Sequence, residues 1–364
     1  MRKSDLIYLF FCLICGIALI ASCGDDSEDE NQDDDDQSSD EADDDDGDSS
    51  DDQQPADDDD NEADDDSSNP TDDDDDAAIG AFQVRLAAPV AATETAEAKD
   101  GYTSVVGKVY DGPTPEQLIW EEAAAEGDCR LLKPRVPFCE QPCGGSVCVE
   151  DDTCQDYPTA QSVGLVTVTG LQTESGEDSF VMEPIANNYQ PPGDAKLLYP
   201  AFSEGGEIEF SADGGDFVSA FTLKAKGISQ LEILNETIPV EKGNPVVLTW
   251  TPAGQSDISS IHVKLDISHH GGSKGKIECK ADDNGSLEIS SSLIGQLTDL
   301  GFAGFPTIVV TRSSTGSAEV SAGGIDLVIS SQVEKAVQIP GLDSCNDDGD
   351  CPDGQTCQTD LVCR

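Results

Sequence analysis

The stretch Ile261-His262-Val263-Lys264-Leu265-Asp266-Ile267 alternates apolar and polar side chains without interruption. Successive side chains of a β-strand point to opposite faces, so this stretch predicts a strand with one buried and one wetted face. Similar stretches recur at intervals of about ten residues, with Gly, Pro, Asn or Asp between them. They are Ile208–Phe210, Phe217–Leu223, Val246–Trp250, Lys276–Lys280, Leu287–Ile289, Ile308–Val310 and Ile325–Ile329. The pattern predicts a mainly β protein folded as a β-sandwich, either Ig-like or jelly-roll-like.

One short helix is expected within this β pattern. Apolar residues recur at helical spacing at Leu293, Ile294, Leu297 and Leu300. Ser290 or Ser291 is suited to cap the start of the helix, and Gly301 is suited to its end. Upstream, residues 80–200 are less regular. The strand candidates there are Phe82–Leu86, Ser104–Tyr110, Leu165–Gly170 and Ser179–Met182.

These elements divide the folded part of the chain. We predict a β module at residues 79–200, with a cysteine-rich insertion, and a β-sandwich module at residues 201–340. Their boundary is expected near residues 195–205, where Pro191-Pro192-Gly193-Asp194 indicates a linker or a wide loop. One larger sandwich is the alternative. Residues 341–364, which contain four cysteines, are expected to form a small disulfide-bonded tail.

Charge is distributed very unevenly along the chain. The 75 acidic and 19 basic residues give a net charge of −56, and 31 of the acids lie between Gly24 and Asp76, where no Lys or Arg occurs. A nucleic-acid partner is excluded, because phosphate contacts require a basic surface. Residues 23–78 lack apolar periodicity and are expected to form a disordered, extended acidic tether. We expect no cofactor, apart from weak and diffuse association of Ca²⁺ with this tether.

Residues 1–22 have the pattern of an export signal. Arg2 and Lys3 precede an apolar run from Leu6 to Leu19, which is too short for an ordinary transmembrane helix. The run ends in Leu19-Ile20-Ala21-Ser22-Cys23, which resembles the lipobox of bacterial lipoproteins. This resemblance implies cleavage before Cys23, acylation of Cys23, and a membrane partner reached through the lipid. Gly24 follows where Asp would imply retention in the inner membrane, so the outer membrane is expected. An ordinary secretory signal is the alternative.

The cysteines predict disulfides. Ten of the 13 cysteines follow Cys23, and an exported chain encounters an oxidising space. They include two clusters in which the last two cysteines are separated by the same five-residue gap. These clusters are Cys139, Cys143, Cys148 and Cys154, and Cys345, Cys351, Cys357 and Cys363. The second cluster resembles short cysteine-rich modules of secreted proteins from myxobacteria. A zinc site is disfavoured, because neither cluster contains His and the gaps exceed those of zinc knuckles.

Two cysteines lie outside the clusters. Cys279 has the same strand parity as the apolar Ile277, so its side chain is expected in the core. We predict that Cys279 forms a disulfide with Cys129 and joins the two halves of the folded part. Closure of so long a loop is expected to contribute about 4–5 kcal/mol to stability.

No motif in the sequence identifies a catalytic site. Residues 271–275 match the G-x-S-x-G pattern of a nucleophile elbow, but strands are expected on both sides and no His follows. A hairpin turn is the expected structure. His262 falls on the polar parity of its strand and is expected to be solvated. His269 and His270 are expected to point to opposite faces, which would prevent joint metal binding.

Two further segments have calcium-loop character. They are Asp282-Asp283-Asn284-Gly285 and Asn346-Asp347-Asp348-Gly349-Asp350, and neither has the downstream Glu of an EF-hand. Turns stabilised by Asp and Asn side chains are the expected explanation, and a structural calcium site is the alternative.

These expectations favour a binding or structural module over an enzyme. The protein is expected to be an outer-membrane lipoprotein that displays a β-sandwich at the cell envelope and contacts an envelope or extracellular protein or glycan. The alternative is a carboxylate-dependent hydrolase acting on polysaccharide or peptide. A hydrolase should have a concave pocket with converging acidic or His side chains, whereas a binding module should have a flat apolar and aromatic patch.

Overall fold

Strands are the predominant secondary structure of the part of the chain that the structure describes, as the alternation of side chains predicts. The computed structural model describes residues 78–364 apart from residues 91, 93–96 and 256. The predicted leader, Cys23 and the tether up to residue 77 lie outside the described residues. The described part belongs to one compact unit, and none of its helices is long and apolar enough to cross a membrane.

The first ten strands lie between residues 80 and 189. They are β1 (Gly80–Ala87), β2 (Tyr102–Tyr110), β3 (Ile119–Glu126), β4 (Cys129–Arg135), β5 (Val147–Glu150), β6 (Thr153–Gln155), β7 (Ala160–Gln161), β8 (Val166–Thr169), β9 (Ser179–Met182) and β10 (Asn188–Tyr189). All four strands expected in this range are present, whereas the other six, among them β3 and β4, were not expected.

Eight further strands and one α-helix follow. They are β11 (Glu207–Ala212), β12 (Phe221–Lys226), β13 (Val246–Thr249), β14 (Ser260–Asp266), β15 (Lys276–Asp282), β16 (Ser286–Ile289), helix α1 (Ser291–Thr298), β17 (Thr307–Val320) and β18 (Gly323–Ala336). Ser290 is the N-cap of α1, and its side chain accepts a hydrogen bond from the Leu293 backbone N–H, as the sequence predicts. A short 3₁₀ helix covers Asp348–Asp350.

A ten-stranded sheet forms the centre of the molecule. Its order is β10-β2-β1-β18-β17-β14-β15-β4-β3, and β7 also pairs with β2. The pairing of β1 with β18 is parallel, whereas the neighbouring pairs β17–β18 and β14–β15 are antiparallel. Three smaller sheets have the orders β12-β11-β8-β9, β13-β16 and β5-β6.

Two hydrophobic cores pack against the central sheet. The first contains Phe82, Leu327 and Phe210, and lies between the β2-β1-β18 part of the central sheet and the four-stranded sheet. The second contains Val263 and Leu248, and is closed by β13, β16 and helix α1. The fold is therefore a mainly β, sandwich-like arrangement in which two cores share one sheet.

Both cores lie on the same face of the central sheet. On β18, Ile325 and Ile329 belong to the first core, and Val333, which has the same strand parity, packs against the second. The chain leaves the first core after Ile228 and enters the second at Leu231. The predicted boundary near residues 195–205 falls before β11 and β12. The buried side chains of these two strands belong to the first core, so that core extends past the predicted boundary. Each core also takes strands from both predicted modules.

All ten cysteines that follow Cys23 are paired. Cys129 and Cys279 face each other on β4 and β15 and form the predicted disulfide. Within each cluster the first cysteine is joined to the third and the second to the fourth. The bonds are Cys139–Cys148, Cys143–Cys154, Cys345–Cys357 and Cys351–Cys363.

Candidate functional site

The outer face of the central sheet carries a group of charged side chains behind the second core. On β14, the half-buried His262 and the buried Lys264 alternate with the core residues Ile261, Val263 and Leu265. The antiparallel register places His262 opposite Lys280 and Lys264 opposite Glu278. Because the apolar residues of both strands face the core, the polar ones collect on the other face.

Glu278 is the centre of this group. Lys276 Nζ lies 2.6 Å from Glu278 Oε1, and an Arg130 guanidinium nitrogen lies 3.5 Å from Oε2. Lys276 also lies over the ring of Trp120, with Nζ 4.1 Å from the ring centroid, which is a cation–π contact. Burial by itself would raise the pKa of Glu278. The hydrogen bond from Lys276 and the positive charges nearby lower it below its ordinary value instead.

His262 is half-buried, not solvated as its strand parity suggested. Burial lowers its pKa, and the positive charges of Lys276, Lys280 and Lys264 act in the same direction, against the opposing effect of Glu278. Since an ordinary His pKa is about 6.5, a lowered value leaves His262 neutral at pH 7. A neutral imidazole offers one hydrogen-bond donor and one acceptor to a ligand.

Two clefts flank the pair formed by His262 and Lys280. The larger has a volume of about 560 Å³ and is lined by Asp128, Asp257 and Asp282 together with the hydroxyl-bearing residues Ser259, Ser260, Ser313, Ser314 and Thr315. The smaller cleft has a volume of about 310 Å³, and Glu122, Arg130 and Glu278 are among its lining residues. Asp128, His262 and Lys280 line both. This combination of hydroxyls, carboxylates and an ammonium group suits a polar, hydrogen-bonding ligand.

A buried ion pair fixes one wall of the larger cleft. Arg312 Nε lies 2.6 Å from Asp283 Oδ2, and the two side chains are 1% and 5% exposed. Trp250 Nε1 and Ser259 Oγ donate further hydrogen bonds to the same carboxylate, at 2.8 and 2.7 Å. Burial opposes ionisation of Asp283, but the hydrogen bonds from Arg312, Ser259 and Trp250 outweigh it and lower its pKa. The turn that carries Asp282 and Asn284 is thereby held in place.

The calcium-loop segments have structural partners. Asp283 is the partner of Arg312, as described above. In the second segment, Asp347 accepts a hydrogen bond from the Gly349 N–H, Asp348 from the Cys357 N–H, and Asp350 from the Asn346 N–H. These contacts are those of turns stabilised by Asp side chains. The buried ion pair between Arg312 and Asp283 was missed at the level of sequence, because nothing local marks an Arg on a strand as buried.

The remaining motifs lie in the β14–β15 connection. Residues 271–275 belong to the connection of this antiparallel hairpin, which agrees with the predicted turn. The expectation for His269 and His270 was wrong, because their ring centroids lie 3.9 Å apart. The two residues follow the end of β14, and His270 has a positive φ of 61°, so strand alternation does not apply to them.

Potential metal ligands cluster at two places in the described part of the chain. The groups of three within mutual reach are Cys139, Cys143 and Cys148, and Cys345, Cys351 and Cys363. All six sulfur atoms are in disulfides, and a disulfide sulfur is not the thiolate that zinc requires.

A second exposed surface lies behind the first core. Tyr102 and Val106, on the outer face of β2, are 60% and 52% exposed. Tyr110 has the same strand parity, and Lys108 Nζ lies 5.1 Å from its ring centroid. The molecule therefore carries both a cleft lined by acidic residues and an exposed patch with aromatic side chains.

Comparison with known proteins does not assign a family. No family model matches the chain, and no curated protein is similar to it in sequence. Among solved structures, a crystal structure of the chicken CNTN1 FN1-FN3 domains is similar at 10% sequence identity, with a TM-score of 0.17. That match covers 66% of this chain and 71% of the other. A TM-score of this size does not establish a shared fold.

Proposed function

We propose that this protein is a lipid-anchored extracytoplasmic protein that displays its β-sandwich as a binding or structural module at the cell envelope. The pairing of all ten cysteines after Cys23 carries the proposal. Disulfides persist in oxidising compartments and are rare in the cytosol. Five disulfides in one chain therefore support export, and they do so independently of the leader sequence.

The resemblance to a lipobox supplies the means of attachment. In this proposal Cys23 receives the lipid, and Gly24 at the next position favours the outer membrane. The acidic segment that follows acts as a spacer, because its like charges repel and extend it. Its carboxylates associate weakly and diffusely with Ca²⁺, since a specific site requires fixed geometry.

The anchor is tested by substituting cysteines in the leader region. Cys23→Ser should abolish incorporation of an alkyne-labelled fatty acid and move the protein from the membrane fraction to the soluble fraction of the envelope. Cys15→Ser is the matched control, because Leu13-Ile14 offers no small residues before that cysteine, and it should be labelled normally. Labelling that survives Cys23→Ser would contradict the proposal.

We propose that the ligand binds at the cleft around His262 and Lys280. Its polar lining suits a ligand rich in hydroxyl groups, such as an envelope glycan. Calorimetry of the full chain with purified envelope polysaccharide should give a binding signal that Lys280→Ala weakens. Lys196→Ala is the control, because it changes an exposed lysine next to the first core, near Ala201, and not in the cleft. It should bind like the unchanged protein. Equal binding by both variants would remove the cleft from the proposal.

The hydrolase alternative has two observations in its favour, the first being that Asp128, Asp257 and Asp282 line the same cleft. Asp257 also has a positive φ of 65°, and unusual backbone conformations are frequent at functional sites. Release of reducing ends from envelope polysaccharide, abolished by Asp282→Asn, would favour this second function. Binding without product release would favour the first.

A further inference from the structure

The two cysteine clusters form similar small structures, although the gaps between their first three cysteines differ. Both have the connectivity of first to third and second to fourth cysteine. In the first, which we call knot 1 (residues 136–155), Cys148 pairs with Cys154 across a β-ladder, and Val147 pairs with Gln155. In the second, knot 2 (residues 342–364), Cys357 pairs with Cys363 and the backbones of Thr356 and Arg364 exchange hydrogen bonds.

The correspondence extends to the turn of the hairpin. The residue two positions before the last cysteine has a positive φ in both knots, 59° at Asp152 and 56° at Leu361. Leu rarely adopts this conformation, so its presence reflects the shared turn and not a local preference. Counting back from the first cysteine of each knot, Val136 corresponds to Leu342 and Phe138 to Ser344.

Knot 2 is docked onto the β-sandwich through one face. Ser344 Oγ donates to the Gly304 carbonyl at 2.6 Å, and the Gly304 N–H donates to the Asp360 carbonyl at 2.7 Å. Cys345, Val362 and Cys363 are 1%, 6% and 8% exposed. Leu342 lines a groove on the sandwich, next to the docking contact.

The same face of knot 1 is exposed. Thr153 and Cys154, which correspond to the buried Val362 and Cys363, are exposed. Val136 and Phe138 are 74% and 70% exposed, which makes them the two most exposed large apolar residues of the described part. The backbone of Phe138 is held in place, because its N–H donates to Asp151 Oδ1 and its carbonyl accepts from the Asp152 N–H. An exposed apolar tip on a rigid frame loses little entropy on binding.

The groove beside knot 2 has matching chemistry. It has a volume of about 680 Å³, and none of its ten lining residues is charged. Pro239, Phe305 and Pro306 form one part of it, and Ala336, Ile339 and Pro340 another. In a chain of net charge −56, a groove without charged lining residues is a place where an apolar side chain can dock without meeting a like charge.

We propose that knot 1 of one copy docks through Val136 and Phe138 into this groove on a second copy of the chain. The occupant follows from the correspondence between the knots, since Leu342, the counterpart of Val136, already lies at the groove within its own chain. The contact joins two different surfaces, so it produces either a closed dimer or an open chain of copies.

Site-specific photo-crosslinking of the purified full chain in detergent tests this contact. With benzoylphenylalanine at position 138, irradiation should give a covalent dimer whose linked peptides join residue 138 to residues 336–342. The same probe at Val247, a 47% exposed position on β13, is the matched control and should not give this product. Higher salt should increase the dimer fraction, because the copies carry like net charge.

A charge placed in the groove provides a second measurement. Ala336→Asp alters an exposed lining position and should lower the position-138 dimer yield about tenfold, as expected at the centre of an interface. A chain that remains monomeric and uncrosslinked at every concentration overturns the proposal. So does a crosslink from position 138 to any site outside the groove or to another protein.

Discussion

At the scale of single residues, Arg312 is a buried charge that holds the segment between the two cores. Its guanidinium donates to the Ser229 and Gln230 carbonyls at 3.3 and 3.0 Å, at the point where the chain passes from the first core to the second. It also donates to the Thr251 carbonyl and to Asp283. A buried charge with so many partners specifies one arrangement, because the Arg312 guanidinium, 1% exposed, would be left buried without partners in any other.

Removal of the charge from Asp283 should therefore destabilise the protein strongly. Asp283→Asn leaves Arg312 buried without a counter-charge, and the expected loss is about 3–5 kcal/mol in the free energy of unfolding, measured by urea denaturation. Asp360→Asn is the control, because it removes a carboxylate that is more exposed than Asp283 and pairs with Arg364 at the surface. Its loss should cost about 0–1 kcal/mol. Similar losses in both variants would contradict the structural role given to the buried pair.

The same ion pair makes stability depend on pH in a defined direction. The folded pKa of Asp283 lies below its ordinary value, so its contribution is present above the unfolded pKa of about 3.9. That contribution is lost as the pH falls through the folded pKa. Urea denaturation between pH 2 and 5 should show a smaller acid-induced loss of stability in Asp283→Asn than in the unchanged protein.

At the scale of elements, alternation predicted strands well wherever a strand has one apolar face. β9, β14 and β15 lie where the sequence places them. β3 was missed because Trp120-Glu121-Glu122-Ala123-Ala124-Ala125-Glu126 has the composition of a helix and lies at the edge of the sheet, where little of it is buried. The cleft was missed for a different reason, since its residues come from β14, β15, β17 and neighbouring loops, which only the folded sheet brings together.

The Cys129–Cys279 disulfide joins β4 to β15 and closes a sequence separation of 150 residues. Replacing both cysteines with Ala should lower the free energy of unfolding by about 5 kcal/mol, because the unfolded chain regains the entropy of that loop. The Cys139–Cys148 bond spans a separation of nine residues, and its removal should cost about 2.5 kcal/mol. Equal losses would contradict the entropic account.

At the scale of the whole molecule, β17 and β18 connect the two cores. Each has 14 residues, and the pair contributes Ile325 and Leu327 to the first core and Ile308 and Val310 to the second. The sequence shows their alternating apolar residues but not that one hairpin serves both cores, because that depends on pairing with β1 and β14 at distant positions. The predicted division into two modules followed the order of residues along the chain, whereas the cores follow the pairing of strands.

Because the cores share this sheet, they should unfold together. Phe82→Ala in the first core and Val263→Ala in the second each remove a fully buried side chain, at expected costs of about 3–5 and 2–4 kcal/mol. Calorimetry should show one transition in the unchanged protein, and each substitution should shift that whole transition to a lower temperature. Separate domains would respond differently, since each substitution would then shift one of two transitions and leave the other in place. The long hairpin predicts the first result, because neither core can lose β17 or β18 without exposing the buried side chains of the other.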